Sequence, residues 1–240
     1  LGLEIEDRTT PWAGACGVFH PMLSEAVVRF QSQTIQEIMP AKGPVKTQVW
    51  GLSTKEREDQ AKRVQDYMNY QLLEVMTEYR SETEKLLFSL PLAGSAFRKI
   101  YFDPSLNRPT SMFVPAEDFV VSYNESDLDQ AERYTHVMNR STNQIKKLQV
   151  SGFYKDVELS SSFVEDNPIT DKYRDIGGVK PSYDKDDRHQ LLEMHVDLDL
   201  PGFEDSDGIA LPYVITIDKG SSTILSIYRN WSEDDDVREK

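Results

Sequence analysis

The chain has 240 residues, with 41 acidic against 27 basic side chains and a formal net charge of −14 at pH 7. A surface of this charge repels the phosphate backbone of nucleic acids, so tight general binding of DNA or RNA is not expected. An acidic surface that keeps a protein soluble is the simplest interpretation, although a protein that lets nucleic acid slide past would tolerate the same charge. The length suits one large domain or two small ones.

Cysteine content and hydropathy exclude further classes. Cys16 is the only cysteine, so no intramolecular disulfide can form, and its small-residue surroundings favour a buried structural thiol. The sequence contains neither an apolar run near the ~20 residues of a membrane helix nor the pattern of a secretory signal. The chain opens on Leu1 and stops within an acidic run, so we expect a fragment of a longer protein.

Two amphipathic helices are predicted in the first part of the chain. The first begins at Pro21 and follows an apolar stripe to Met39, before Pro40 and Gly43 end it. The second is very long and runs from about Ser53 to Leu90, because apolar residues recur about once per helical turn. These residues are Ala61, Val64, Met68, Leu72, Val75, Tyr79, Thr83, Leu86 and Leu90.

The ends and the two faces of the long helix carry further expectations. Ser53 at the N-cap and Glu56 three residues later read as a capping box, and Pro91 is expected to stop or kink the helix. Its apolar stripe is expected to pack as core against the first helix and the following hairpin. Its charged face, which includes Glu78 and Glu82, is expected to meet solvent or another subunit. At about three times the mean length of globular helices, such an element is typical of a scaffold or assembly part.

Extended elements surround and follow the long helix. Residues 44–50 alternate and predict a short strand, while residues 97–102 and 111–114 predict a β-hairpin closed by a turn at 103–109. Further extended pieces are predicted at 118–123 and 134–139. Ser141 and Gln144 then form a second capping box that opens a short helix ending at Gly152.

The last part of the chain predicts an antiparallel β-meander at 189–231. Leu192, Met194, Val196, Leu198 and Leu200 alternate with charged residues on one wet face, and two more alternating runs follow after short turns. The fold class is therefore α+β: two amphipathic helices packed with short antiparallel strands, then the meander. Residues 1–159 form the predicted helix-rich region, 160–188 a loop or linker, and 232–240 an acidic end.

One cluster of side chains is a candidate metal site. Glu193, His195 and Asp197 share one face of a strand, with Asp199 next in line, and a hard or borderline metal could use two of them. Residues 205–208 resemble the start of a calcium loop but lack its acidic residue at position 12. The structural alternative is a charged sheet face that keeps the protein soluble, and this alternative is favoured, so the sequence assigns no metal.

No catalytic signature emerges from the sequence. It contains no phosphate-binding glycine loop and no G-x-S-x-G elbow, and Cys16 has only His20 as a sequence neighbour. We therefore expect no enzymatic activity and no cofactor.

The order of the elements carries a resemblance to a known family. The sequence segments are Ile38-Met39-Pro40 with Gly43-Pro44-Val45-Lys46, Tyr67-Met68-Asn69-Tyr70, the run from Gly94 to Pro104, Val114-Pro115-Ala116-Glu117-Asp118-Phe119-Val120-Val121, Tyr134-Thr135-His136-Val137-Met138 and Ile145-Lys146-Lys147-Leu148. Over residues 10–155, and more loosely in the meander, this order resembles the N-terminal, wing part of portal (head-to-tail connector) proteins of tailed bacteriophages. Among these families, the sequence most resembles the portal proteins of short-tailed phages.

The resemblance implies a structural role. Portal proteins are structural proteins of the virion. Their subunits form an oligomeric ring, usually of about twelve copies, at the capsid vertex. Genomic DNA passes through the ring during DNA packaging and DNA ejection without sequence-specific binding. The implied partners are other copies of the subunit, the capsid, the terminase and the tail adaptor, with host cytoplasm as the place of assembly and no membrane involved. The alternatives are a non-viral protein-binding adaptor module and, third, a metal-dependent enzyme built on Glu193, His195 and Asp197.

Overall fold

The computed structural model describes residues 12–13, 21–103, 106–128, 130–159, 188–203 and 208–231. The chain divides between Glu117 and Asp118 into two compact units, called the helical unit (described from residue 21) and the sheet unit below. Helices and antiparallel sheets both contribute, so the predicted α+β class is confirmed. The predicted loop at 160–188 lies almost wholly outside the described residues, as do the hairpin turn at 104–105, Cys16 and the acidic end.

The helical unit contains three α-helices and a two-stranded hairpin. Their bounds are α1 Met22–Ile38, α2 Lys55–Tyr70, α3 Tyr79–Ala93, β1 Phe97–Asp103 and β2 Arg108–Val114. The helix α3 packs against α1 on one side and β2 on another. Val27 of α1 and Leu87 of α3 are among its buried residues, so the core of this unit forms around α3. The first predicted helix and the predicted hairpin are both confirmed.

The very long helix predicted at 53–90 is wrong as a single element. Residues Gln71–Val75 form a π-helical turn, in which the Met76 N–H donates to the Gln71 carbonyl at 2.9 Å. Met76 then leaves helical geometry at φ −88° and ψ 73°, and α3 begins at Tyr79. Neither proline nor glycine lies at the break, and the apolar spacing continues across it, so helical periodicity alone could not reveal it.

Both predicted ends of the long helix are also corrected. The N-cap is Thr54, not Ser53, because the Thr54 hydroxyl accepts a hydrogen bond from the Arg57 N–H at 3.4 Å. Pro91 lies inside α3, and the helix ends at Gly94, whose φ of 79° is left-handed. Glycine adopts this conformation without steric penalty, so the glycine and not the proline ends the helix.

The segment at 44–50 is extended but belongs to no sheet, so the predicted strand is wrong. The Val45 N–H donates to Asn69 Oδ1 at 2.9 Å, Asn69 Nδ2 donates to the Val45 carbonyl at 3.2 Å, and the Thr47 N–H donates to Gln65 Oε1 at 3.2 Å. Four residues of a helix rise about 6 Å, and two residues of an extended segment span about 6.6 Å. Helix side chains four residues apart can therefore reach backbone groups two residues apart in the extended segment. Side chains of α2 thus replace a neighbouring strand.

Side chains at the N-terminal end of α3 bind the backbone of β2 in the same way. The Ser111 N–H donates to Glu78 Oε1 at 3.3 Å, and the Phe113 N–H donates to Glu82 Oε2 at 2.7 Å. Partial burial raises the pKa of Glu78, but hydrogen bonds from its own backbone, from Arg108 and from Ser111 outweigh that effect and leave the pKa below its ordinary value. Glu78 and Glu82 are therefore structural ligands of the β2 edge, which corrects their prediction as part of a solvent or subunit face.

The sheet unit contains one five-stranded antiparallel sheet in the order β3-β4-β5-β6-β7. Its elements are β3 Phe119–Val121, β4 Arg133–Ser141, α4 Thr142–Val150, β5 Arg188–Leu198, β6 Leu211–Asp218 and β7 Thr223–Arg229. The predicted meander corresponds to β5–β7, and the Ser141–Gln144 capping box of α4 is confirmed.

The predicted grouping of residues 1–159 apart from 189–231 differs from this sheet. All nine residues of β4 pair with β5, so chain on both sides of the 160–188 segment belongs to one unit. A pairing between strands so distant in sequence leaves no local signal. The helix α4 covers one face of the sheet, where Met138, Ile145, Tyr154, Leu191 and Leu225 form a core cluster, and Leu211, Tyr213 and Ile215 form another cluster.

The pairing of Asn69 with Val45 gives a first testable prediction. Asn69→Ala leaves the Val45 N–H and carbonyl without their partner, so we expect the free energy of unfolding of the helical unit to fall by about 1–3 kcal/mol. Urea unfolding and hydrogen exchange of the helical-unit amides measure the loss. Asp66→Ala, at an exposed site on the same helix, is the control and should change stability by no more than about 0.5 kcal/mol. Equal stability of the two variants would contradict the structural role of Asn69.

Candidate functional site

The α4-covered face of the sheet carries an unusual concentration of polar side chains. The register places His136 opposite Glu193, Glu193 opposite Thr216, and Thr216 opposite Ser226. Directly opposed residues in antiparallel strands have Cβ atoms about 5 Å apart. These four residues, called the polar row below, therefore cross four strands side by side.

Two of the three predicted metal candidates lie close together, and one of them, Glu193, belongs to the polar row. His195 Nε2 lies 3.5 Å from Glu193 Oε1, and the His195 ring stacks on Tyr134 with centroids 4.7 Å apart and planes 15° apart. The stacking and the carboxylate together fix the orientation of the imidazole. His195 Nδ1 is buried and makes no hydrogen bond to the described part of the chain.

Asp197 does not join this pair as a third ligand. Its position on β5 is opposite Pro212, and its backbone N–H donates to the Glu132 carbonyl at 3.3 Å. Among the residues that the structure describes, no three His, Cys, Asp or Glu side chains are placed to hold a metal ion. The Glu193–His195 pair offers two ligands, one fewer than the three protein ligands of the common catalytic zinc sites. Asp199 is exposed, and most of the calcium-like loop at 205–208 lies outside the described residues.

The prediction of a wet charged face on β5 is wrong. The side chains of Glu193 and His195 expose only 12% and 22% of their surface, and Tyr154, which follows α4, is buried nearby. Alternation along β5 correctly identifies two different faces, but both are covered to a large extent. The sequence signal for a half-exposed strand cannot distinguish a polar face that meets solvent from one that another segment of the chain covers.

This buried environment changes the pKa of the Tyr154 phenol. Burial raises the pKa of Tyr154 to about 12, and the neighbouring charge of Glu193 acts in the same direction, while Arg140 and the hydrogen bond with Thr216 act against it. The phenol therefore stays protonated throughout the neutral range. It acts as a fixed, neutral hydrogen-bonding group above the polar row.

His189 and Asp218 form a second buried polar pair, which the sequence did not predict. His189 Nδ1 lies 3.4 Å from Asp218 Oδ1, and the two side chains are 3% and 0% exposed. Asp218 Oδ2 also accepts hydrogen bonds from the Ser221 N–H at 2.8 Å and from the Ser221 hydroxyl at 2.6 Å. Asp218 thus closes the β6–β7 turn and contacts the first residues of β5. The turn sequence could have indicated the Ser221 bonds, but the register that brings His189 to Asp218 is non-local.

The helical unit offers a different kind of surface. Val64 and Met68 of α2 are 51% and 45% exposed, and Tyr67 and Tyr70 of the same helix are exposed as well. Val64 and Met68 were expected to form core together with the rest of the long-helix stripe. That expectation is wrong for α2, because α3 rather than α2 packs against α1, and α2 is attached to the unit through the polar side chains Gln65 and Asn69.

Comparisons with known proteins add no family. No protein-family model matches this chain, and no curated protein is significantly similar to it. Over the described ranges, no helix has the length and apolar character needed to cross a membrane.

The acidity of Tyr154 predicts a specific alkaline weakness. Its pKa of about 12 in the folded protein exceeds the value near 10 of an unfolded chain, so the folded state holds the proton more tightly. This stabilisation is complete below pH 10 and is lost as the pH rises toward 12. Relative to Tyr154→Phe, the wild type should lose about 2–3 kcal/mol of unfolding free energy between pH 9.5 and 12.

Denaturant unfolding across this pH range measures the difference between the two proteins. Tyr123→Phe, at a fully exposed position, is the control and should follow the wild-type pH dependence. Parallel curves for wild type and Tyr154→Phe would show that the phenol does not ionise under the constraint described above.

The Asp218 contacts predict a large stability effect without any reaction being involved. Asp218→Ala leaves the Ser221 N–H and hydroxyl without their acceptor and removes the buried carboxylate beside His189, so the unfolding free energy should fall by about 2–4 kcal/mol. Asp199→Ala, at an exposed site just beyond β5, should change it by no more than about 0.5 kcal/mol. Thermal unfolding of both variants at neutral pH tests this, and an effect of Asp218→Ala below about 1 kcal/mol would refute it.

Proposed function

We propose that this chain is part of a portal subunit of a tailed bacteriophage, a structural component of the ring through which genomic DNA is packaged and ejected. The order of helices, hairpin and strands along the sequence supports the proposal. The observation that carries it is the exposed apolar stripe of α2, on which Val64 and Met68 lie one helical turn apart.

An exposed apolar helix face needs a partner surface. Single exposed apolar residues are common, but α2 brings Val64, Tyr67 and Met68 together on one face within little more than one turn. In a ring, each subunit presents such a face to its neighbour, because a closed cyclic assembly repeats one heterologous contact around the axis. A neighbouring copy of the chain is therefore the proposed occupant of the α2 face.

The charge of the chain is compatible with this role. A formal charge of −14 opposes adhesion of a polyanion, so DNA moving along such a surface would be repelled rather than held. The proposed partners beyond other subunits are the capsid, the terminase and the tail adaptor, at the capsid vertex of the virion. The role is structural, and no reaction is assigned to the Glu193–His195 pair.

A protein-binding adaptor is the second candidate, since the same α2 face would suit an unrelated partner. The two candidates differ in oligomeric state. A portal subunit forms a closed ring of its own copies, whereas an adaptor using α2 for another protein need not associate with itself.

The test uses the full-length protein that contains this chain. Mass photometry and negative-stain electron microscopy should detect rings of roughly twelve subunits. Val64→Glu combined with Met68→Glu puts two charges into the proposed contact and should convert rings to monomers or small fragments of rings. Asp59→Lys, a charge change at an exposed position of the same helix, should leave the rings intact.

A monomeric full-length protein under conditions in which virions assemble would overturn the portal proposal. If the variant with both glutamates still forms rings, α2 does not lie in the interface between subunits. The observation that carries the proposal would then be lost. A terminase gene adjacent to the parent gene would support the portal interpretation independently of the biochemistry.

A further inference from the structure

The break between α2 and α3 lies where the local sequence favours a continuous helix. Gln71 to Glu78 contains no glycine or proline, and Met68, Leu72, Val75 and Tyr79 continue one apolar spacing across it. Sharp helix interruptions normally coincide with proline, with glycine or serine pairs, or with π-turns. The present break has only the π-turn, which is a matter of hydrogen-bond register and not of residue type.

The backbone at the break exchanges one hydrogen-bond register for another. The Met76 N–H bonds to the carbonyl of Gln71, five residues earlier, and the Tyr79 N–H then bonds to the Met76 carbonyl at 2.9 Å. A continuous α-helix would instead bond each N–H four residues back. Only a few residues must change conformation to pass from one arrangement to the other.

Contacts from elsewhere in the helical unit hold the broken form. The Met76 side chain is 4% exposed, and it lines a cleft of about 260 Å³ together with Pro40 and Leu72. Two residues later, Glu78 contacts the Arg108 guanidinium at 2.8 Å and accepts the Ser111 N–H. Tertiary contacts therefore favour the break, while intrinsic helix propensity favours continuity.

The helix α2 is placed to move without dismantling the core of its unit. That core is formed by α3 with α1 and β2, whereas α2 is attached by hydrogen bonds from Asn69 and Gln65 to the segment at 45–47. This segment would travel with α2, because these hydrogen bonds join the two and Gly43, just before the segment, lies against the Asn69 side chain. A helix with few apolar contacts to its own unit is held weakly in one orientation.

We propose that residues 71–78 form a two-state hinge, which is broken as described here or closes to make α2 and α3 one continuous helix over residues 55–93. Burial of the exposed α2 stripe against a second surface is the event that would bias this equilibrium, because it changes the position that α2 must adopt. The hinge goes beyond the portal proposal and does not depend on it.

Spin-label distances test the hinge in this chain. Nitroxide labels at Lys62→Cys and Lys85→Cys, in a Cys16→Ser background, are about 34 Å apart along a continuous helix and closer together across the break. Double electron–electron resonance should find a main short component and a smaller component near the continuous-helix distance. Circular dichroism and thermal unfolding verify that each labelled protein is folded.

Two substitutions at the exposed Thr77 should shift the populations in opposite directions. Thr77→Pro is incompatible with a continuous helix, because proline lacks the N–H and collides with the preceding turn, so the long component should disappear. Thr77→Ala favours helix without touching a buried contact, so the ratio of long to short components should rise about twofold.

Met76→Ala removes the side chain whose burial stabilises the broken form. The ratio of long to short distance components should therefore rise roughly tenfold. Glu74→Ala, at an exposed site of the π-turn, is the matched control and should leave the distance distribution near that of wild type. A single short distance in every variant would overturn the hinge by showing a fixed break. A single long distance that persists in Thr77→Pro would overturn it by showing that the break does not form.

Discussion

The architecture of the helical unit depends on side chains that act in place of a strand. Asn69 and Gln65 of α2 bind the backbone of the extended segment at 45–47. Glu78, which precedes α3 as its N-cap residue, and Glu82 of α3 bind the backbone of β2. In each case, helix residues four apart match extended residues two apart, because the two spacings agree to within about 1 Å. Buried backbone donors need partners, and here the helices supply them without a third strand. The positions of α2, α3 and the hairpin follow from this matching.

The same principle explains where sequence reasoning succeeded and where it failed. Local signals identified α1, the hairpin, the capped helix α4 and the β5–β7 meander, because caps, turns and alternation are encoded by neighbouring residues. The acidic residues Glu78 and Glu82 looked like an ordinary solvent face, since nothing in their spacing reveals that β2 lies beside them. The helix break at Met76 was equally invisible, because contacts made by Met76 and Glu78 at a distance override a favourable helical pattern.

The candidate site on the sheet repeats this lesson at the level of single residues. Alternation along β5 correctly placed Glu193 and His195 on a common face, and the structure brings them to 3.5 Å. It could not indicate that Tyr154 would cover that face, that Tyr134 would stack on His195, or that Asp197 would not complete a three-ligand metal group among the described residues. Those facts come from the pairing of β4 with β5, across more of the chain than any local pattern spans. A polar layer of this kind specifies strand register, because a slip by one residue would bring Glu193 to the apolar face.

The backbone bonds along the strand edges restrict how copies of this protein can associate. The carboxylates of Glu78 and Glu82 occupy N–H groups of β2 that an incoming strand would need. In the sheet unit, the Lys155 N–H donates to the Leu225 carbonyl of β7 at 2.8 Å, and the opposite edge strand, β3, is only three residues long. Strand addition is the common route from a folded β-protein to uncontrolled polymers, and these contacts obstruct it at the positions named. The contacts named here therefore leave fewer strand-edge groups through which copies of the chain could pair.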